Sequence, residues 1–215
     1  MLTRDTPSHE VSPLLLHSLD ELPFDSLALI AIDIPLGLPE SGVRLCDTLA
    51  RKQLGRGRAS SIFSAPIRPL LHCASYREAC ELGRSIDGRA ISKQTWNILA
   101  KIREADVVLR APQRSFAMHE VHPELSFTIW ADSTAFASKK TETGRLARLE
   151  LIEGYLPGAY ARVRAAVSRA ACRDDDILDA FAALWSAERL LGNTALTLPA
   201  APECDSEGIR MQISA

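Results

Sequence analysis

The chain has 215 residues, room for one domain with a proper buried core. With 47% hydrophobic and 24% charged residues it is ordinary for a globular protein, which excludes a disordered chain. Its net charge of −2 conceals a local imbalance, because Arg44, Arg51, Lys52, Arg56, Arg58 and Arg68 are set against only Asp47.

The N-terminus carries no apolar signal core, and no apolar run approaches membrane-spanning length. A short apolar stretch over 12–17 reads as a strand, and 19–22 as a brief helical turn. The clearest strand is the run LALIAI at 27–32 and its continuation to 34, of the kind found in the middle of a covered parallel sheet. Two prolines and a glycine in PLGLP, 35–39, end it in a loop. Asp33 therefore sits at the carboxyl end of a strand, where open α/β sheets place their ligands.

A helical pattern over 44–54 leads into GRGRASS at 55–61, a flexible basic loop. Ser75 is suited to cap a helix over 76–82, and 92–105 is amphipathic, with Trp96, Leu99 and Ile102 at helical spacing. Residues 116–121 form the next strand candidate, stopped by Pro123. A helix with the stripe Leu146, Leu149 and Ile152 runs to Gly154, and another covers 159–170. The last helix begins at Asp174, whose neighbouring acids suit the positive end of the helix dipole, and closes at Gly192. Residues 209–213 alternate like a final edge strand. Strands alternating with helices predict an α/β fold. Five cysteines, an odd number with no Cys-x-x-Cys pair, read as reduced thiols in a cytoplasmic protein.

Acidic residues recur where a metal site would want them: Asp33, Glu120 and Glu124 in HEVHPE, and Asp176 and Asp179 in DDDILD. Converging carboxylates make a hard-oxygen site for Mg²⁺ or Mn²⁺. Plain structural alternatives stand beside this reading. Asp33 is able to cap the turn at Pro35, and Asp174 to Asp176 to cap their helix. Asp179 lies beyond the capping positions and is harder to explain that way. His119 and His122 flank Glu120, and His122 is placed to orient a carboxylate. Arg51, Arg56, Arg58, Lys93 and Lys139 offer donors for phosphate oxygens, or else a solvated surface.

Several strings together carry a family resemblance: IDIPLGLP (32–39), RLCD (44–47), AR (50–51), LGR (54–56), SIF (61–63), ISKQ (91–94), EVHPE (120–124), KK (139–140) and DDILDA (175–180). The chain resembles, from about residue 12 to its C-terminus, the domain-of-unknown-function 429 family, predicted to be RNase H-like nucleases. The resemblance implies a single domain over 1–215: a ribonuclease H-like mixed sheet flanked by helices, with a helical, basic insertion at about 40–110 after the IDIP strand. It implies that Asp33, Asp176 and Asp179 match metal-carboxylate positions, with Glu120 and Glu124 as further metal or base candidates. Related chains are expected to begin with a strand bearing Asp followed by glycines, and no such string occurs here. The sheet is then expected to present an open edge or apolar face, which a second copy or another partner would cover. The expected activity is metal-dependent hydrolysis of nucleic-acid phosphodiesters. The alternatives are a non-catalytic nucleic-acid-binding or scaffold protein on the same fold, and a small-molecule phosphotransferase, for which no glycine-rich phosphate loop speaks.

Overall fold

The computed structural model describes residues 1–5, 10–111, 116–133 and 136–215. Two short strands, β1 (Leu2–Arg4) and β2 (Val11–Pro13), pair antiparallel and stand apart from the main sheet. Of the strand expected over 12–17 only its start forms, and Leu14 instead bonds its N–H to the carbonyl of Met1. Short helical turns at Leu19–Glu21 and Phe24–Ser26 lead into β3 (Leu29–Ile32).

Three helices follow before the next strand, α1 (Leu45–Leu54), α2 (Tyr76–Asp87) and α3 (Lys93–Arg110). Each of the last two starts at a serine cap: Ser75 Oγ accepts the Glu78 N–H at 3.2 Å, and Ser92 Oγ the Thr95 N–H at 3.0 Å. Both run one to two turns past their sequence-read ends. Gly88, in a left-handed conformation, stops α2.

Next come β4 (Ala117–Val121), α4 (Pro123–Trp130), α5 (Glu142–Tyr155), α6 (Ala159–Ala166) and α7 (Asp174–Leu191). Pro123 ends the strand as expected, but it also opens α4, an element the sequence reading lacked. Its missing N–H costs nothing at the first helical position and its fixed φ suits one. In α5 the buried face is Gly144, Arg148 and Ile152, while Leu146 of the expected stripe is exposed.

The strands β5 (Thr197–Leu198) and β6 (Ile213–Ser214) complete a four-stranded sheet in the order β3-β4-β6-β5. β3, β4 and β6 run parallel, and β5 is antiparallel to β6, so the sheet is mixed and the protein is α/β. The expected final edge strand at 209–213 is corrected in both place and length. β6 lies inside the sheet, whereas Arg210 bridges to Cys204. The outer side of β3 has no paired strand among the described residues.

One face of β3 is covered by α7. On the other, Ala105 and Leu109 of α3 pack with Ile30, Leu36 and Met118. Leu125 of α4 joins Cys46, Ala50, Leu54 and Ile213 in a second cluster. No helix among the described residues is long and apolar enough to cross a membrane. All five cysteines are free thiols, with Cys46, Cys73 and Cys80 buried.

A buried ion-pair network pins the loop after β3. Arg44, 2% exposed, donates to both Glu120 oxygens at 2.6 and 2.8 Å, to Asp47 at 2.5 Å and to the Leu36 carbonyl at 2.9 Å. Glu120 also accepts the Leu36 N–H at 2.7 Å, and Asp47 the Ala65 N–H at 3.0 Å. Burial works against the charge on both Arg44 and Glu120, raising the carboxyl. The bidentate contact and the second carboxylate of Asp47 hold the guanidinium protonated, and the ion pair is the form this geometry favours. Removing one partner leaves an uncompensated buried charge. Arg44→Met is therefore expected to lower the free energy of unfolding by about 3–5 kcal/mol in urea titrations. A loss below about 1 kcal/mol would contradict the role of the network.

Candidate functional site

Strand register explains which side chains meet. Ile32 pairs with Glu120 in the parallel ladder, so Asp33 emerges beside the end of β4 as that chain turns through His122 into α4. Glu124 stands in the first turn of α4, and α7 lying over β3 brings Asp179 to the same crevice. This is the carboxyl end of the parallel strands.

Asp33 is open to solvent, yet desolvation, the like charge of Asp179 next, and only partial relief from Lys139 push its carboxyl up to about 7. The side chain thus keeps access to water while neighbouring protein crowds it. Asp179 accepts from Lys139 Nζ at 2.8 Å through Oδ2, while its Oδ1 is buried without a hydrogen-bond partner among the described residues. Burial raises the Asp179 carboxyl, Lys139 opposes the rise, and Glu124 and Asp175 add repulsion. Lys139 loses something to burial but is held protonated by Asp179. The two shifts favour opposite forms of the pair, and the 2.8 Å contact supports the charged one.

Glu124, 6% exposed, is clasped by arginines, with Arg148 at 2.8 Å and Arg58 at 3.5 Å. Arg58 also donates to Thr128, whose hydroxyl donates in turn to the Glu124 carbonyl at 2.6 Å. Arg148, fully buried, lies over the Phe127 and Phe136 rings and donates to the Gly144 carbonyl at 2.8 Å. His122 Nε2 lies 3.3 Å from the Ser61 carbonyl, which makes it the protonated nitrogen and leaves Nδ1 a buried acceptor without a partner. Burial lowers the His122 pKa and keeps the ring neutral. Ser61 ends the basic loop, so His122 and Glu124 together hold that loop against the crevice.

The sequence candidates thus divide. Asp33, Glu124, Asp179, Arg58 and Lys139 come together. Glu120 lies in the Arg44 network with both oxygens engaged. The exposed Asp176 turns back to accept the Arg173 N–H at 2.8 Å, serving as a cap rather than joining Asp179. Asp175 occupies the place expected of Asp176, because a spacing of four residues puts it on the Asp179 face, where its charge acts on both Asp179 and Lys139. Arg51 fastens the loop through the Ile62 carbonyl at 2.9 Å and Ser64 at 3.0 Å. Arg56 is exposed and has no side-chain partner among the described residues. Lys93 lies over the Tyr76 ring at 4.4 Å, in the α2–α3 cluster. Arg148 escaped the sequence reading. Its only signal was the four-residue spacing of Gly144, Arg148 and Ile152.

Among the described residues no three His, Cys, Asp or Glu side chains gather closely enough to hold a metal ion. The donor chemistry fits a divalent cation in part. Asp33 and the buried, partnerless Oδ1 of Asp179 are hard oxygens short of positive charge, while Lys139 and the two arginines engage the remaining carboxylate oxygens.

The family model described as a protein of unknown function (DUF429) matches residues 11–204, a span that includes every residue of this crevice. The chain belongs to this family. No curated protein and no solved structure matches it. In this DUF429 protein, then, the crevice itself supplies the functional evidence, and its Asp33 carboxyl stands well above its ordinary value.

The displacement sets a pH dependence. A carboxyl whose folded pKa, about 7, lies above its ordinary 3.8 contributes stability fully below about pH 4 and loses it as pH rises through 7. Asp33→Asn removes that loss. With chelator present, the variant should melt increasingly above the parent between pH 4 and pH 8; equal melting temperatures at pH 8 would contradict the raised carboxyl.

Proposed function

We propose that this DUF429 protein is a divalent-metal-dependent phosphodiesterase acting on nucleic acid, with its catalytic crevice at Asp33 and Asp179 and a sheet of the ribonuclease H-like kind. The observation that carries the reading is a local shortage of positive charge. A buried Asp179 oxygen has no partner among the described residues, beside an Asp33 whose carboxyl that same residue helps to raise. Such groups in a crevice mark functional sites more often than structural ones. Mg²⁺ or Mn²⁺ held by Asp33 and Asp179 would act as a Lewis acid on a phosphodiester.

The chain's own side chains do the rest. Lys139 and Arg58 stand beside the carboxylates and are the donors for phosphate oxygens. Glu124 and Thr128 orient Arg58 rather than binding metal themselves. Neutral His122, its Nδ1 buried, positions the basic loop through the Ser61 carbonyl rather than meeting the substrate. Nucleic acid is the partner whose repeating phosphates suit a basic loop, 55–61, held at the crevice mouth.

The test is a Mn²⁺ and Mg²⁺ titration read by melting temperature, beside cleavage assays on labelled single-stranded, duplex, hybrid and branched substrates. Parent protein should be stabilised by metal and should cleave at least one substrate, and Asp179→Asn should lose both. The proposal is overturned if neither ion raises the melting temperature and neither supports cleavage of any of these substrates. Because Lys139 competes for the Asp179 carboxylate, Lys139→Met should bind Mn²⁺ more tightly in calorimetry while binding nucleic acid more weakly. A second reading, nucleic-acid binding without catalysis, is favoured by the absence of a three-donor group among the described residues. Binding that falls steeply with salt and ignores chelator, with no cleavage, would select it.

A further inference from the structure

A cavity of about 460 Å³ opens between β4 and the residues leading into β6. It exists because the β4–β6 ladder closes only at Glu120–Ile213 and Val121–Ser214. Before that point the C-terminal chain is drawn to its other side: Arg210 bridges to Cys204, and the Met211 N–H bonds to the Glu203 carbonyl at 2.9 Å. The two strands splay, and the wedge between them is walled by Leu109, Phe116, Met118 and Ile209. Its volume lies in the range of small-molecule sites, which are mostly apolar with a few convergent polar groups.

Two of the lining polar groups are uncommitted. Arg210 is exposed, and its guanidinium has no acceptor among the described residues. The His119 ring, half-buried beside it, has no hydrogen-bond partner among the described residues. Burial first, and then the charge of Arg210, keep His119 neutral. The carboxylates on the wall are engaged elsewhere, Glu120 by Arg44 and Glu207 by Arg110 at 3.8 Å. The cavity therefore combines an apolar wall with an unneutralised cation and one ring nitrogen able to donate.

We propose that this cavity binds a small organic anion, a carboxylate or phosphate monoester carried on a flat apolar body, with the anion on Arg210 and His119 and the body against Phe116 and Met118. The site is independent of the phosphodiesterase reading, since it uses none of Asp33, Asp179 or Lys139. A charge-assisted contact to Arg210 would orient the anion, and burial of the body would supply most of the affinity.

Calorimetry with chelator present tests it, using phenyl phosphate and benzoate as probes, inorganic phosphate as a charge-only control and benzyl alcohol as an apolar-only control. At least one probe should bind in the submillimolar range and more tightly than either control; the tighter of the two tells phosphate from carboxylate. Arg210→Ala, at an exposed position that should not impair folding, should weaken binding about tenfold or more. Asp179→Asn should leave it unchanged. By NMR, the His119 ring should titrate at higher pH when the probe is bound. The proposal is overturned if neither probe binds, if a control binds as tightly, or if Arg210→Ala changes nothing. It is overturned equally if Asp179→Asn abolishes binding, which would place the anion in the crevice.

Discussion

The fold is organised around the Arg44–Glu120 ion pair. A buried charge pair costs several kcal/mol of desolvation per ion, and it persists only where further hydrogen bonds satisfy the remaining atoms. Here they do so by reaching into three segments. Arg44, just before α1, takes the Leu36 and Gly37 carbonyls as well as Glu120 and Asp47, and the carboxylates take the Leu36 and Ala65 N–H groups. The loop leaving β3 is thereby locked to β4 and to α1. Gly37 tightens the lock. Its φ is +71°, and a Cβ there would stand 2.8 Å from the Arg210 carbonyl, so the loop can approach the C-terminal segment only without a side chain. A second network repeats the device nearby, with Arg68 bridging Asp106 and Asp205 while Asp205 accepts the Leu38 N–H at 2.8 Å.

Against that background the crevice carboxylates stand out by being under-compensated. Glu120 and Glu124 are both nearly buried, and each meets guanidinium groups at both oxygens. Among the described residues Asp179 meets a cation at one oxygen, and Asp33 meets none within hydrogen-bonding distance. In a folded protein, carboxylates are normally either paired or well solvated. Asp33, at the carboxyl end of β3, and Asp179, facing it from α7, are the less compensated of these carboxylates.

The basic loop shows how stability and chemistry share residues. Arg58 is part of the clasp on Glu124, and His122 holds Ser61, so the loop bearing Arg56 is fixed to α4 rather than free in solvent. Rings of Phe127 and Phe136 beneath Arg148 let a fully buried guanidinium replace water with π faces and carbonyls. Neutralising Glu124 does not make Arg58 strongly basic: burial lowers its pKa, Glu124 opposes the fall, and the charge of Arg148 adds to it.

The α/β class, the β3 run, most helices and the candidacy of Asp33, Glu124 and Asp179 were legible in the sequence, because periodicity, caps and a charge ending an apolar strand are local signals. It also carried the family, through strings such as IDIPLGLP and EVHPE. Which acids lie together was settled by packing. Three consecutive aspartates look alike in sequence, but helix geometry commits Asp176 to the N-terminus of α7 and turns Asp175 toward Asp179. Glu120 and Glu124 sit in one string, yet strand alternation and the turn at Pro123 send the first to Arg44 and the second to the crevice. Burial of Arg148, the insertion of β6 between β4 and β5, and the cavity where β4 and β6 splay were likewise beyond local signals, since each depends on which distant segment packs against it.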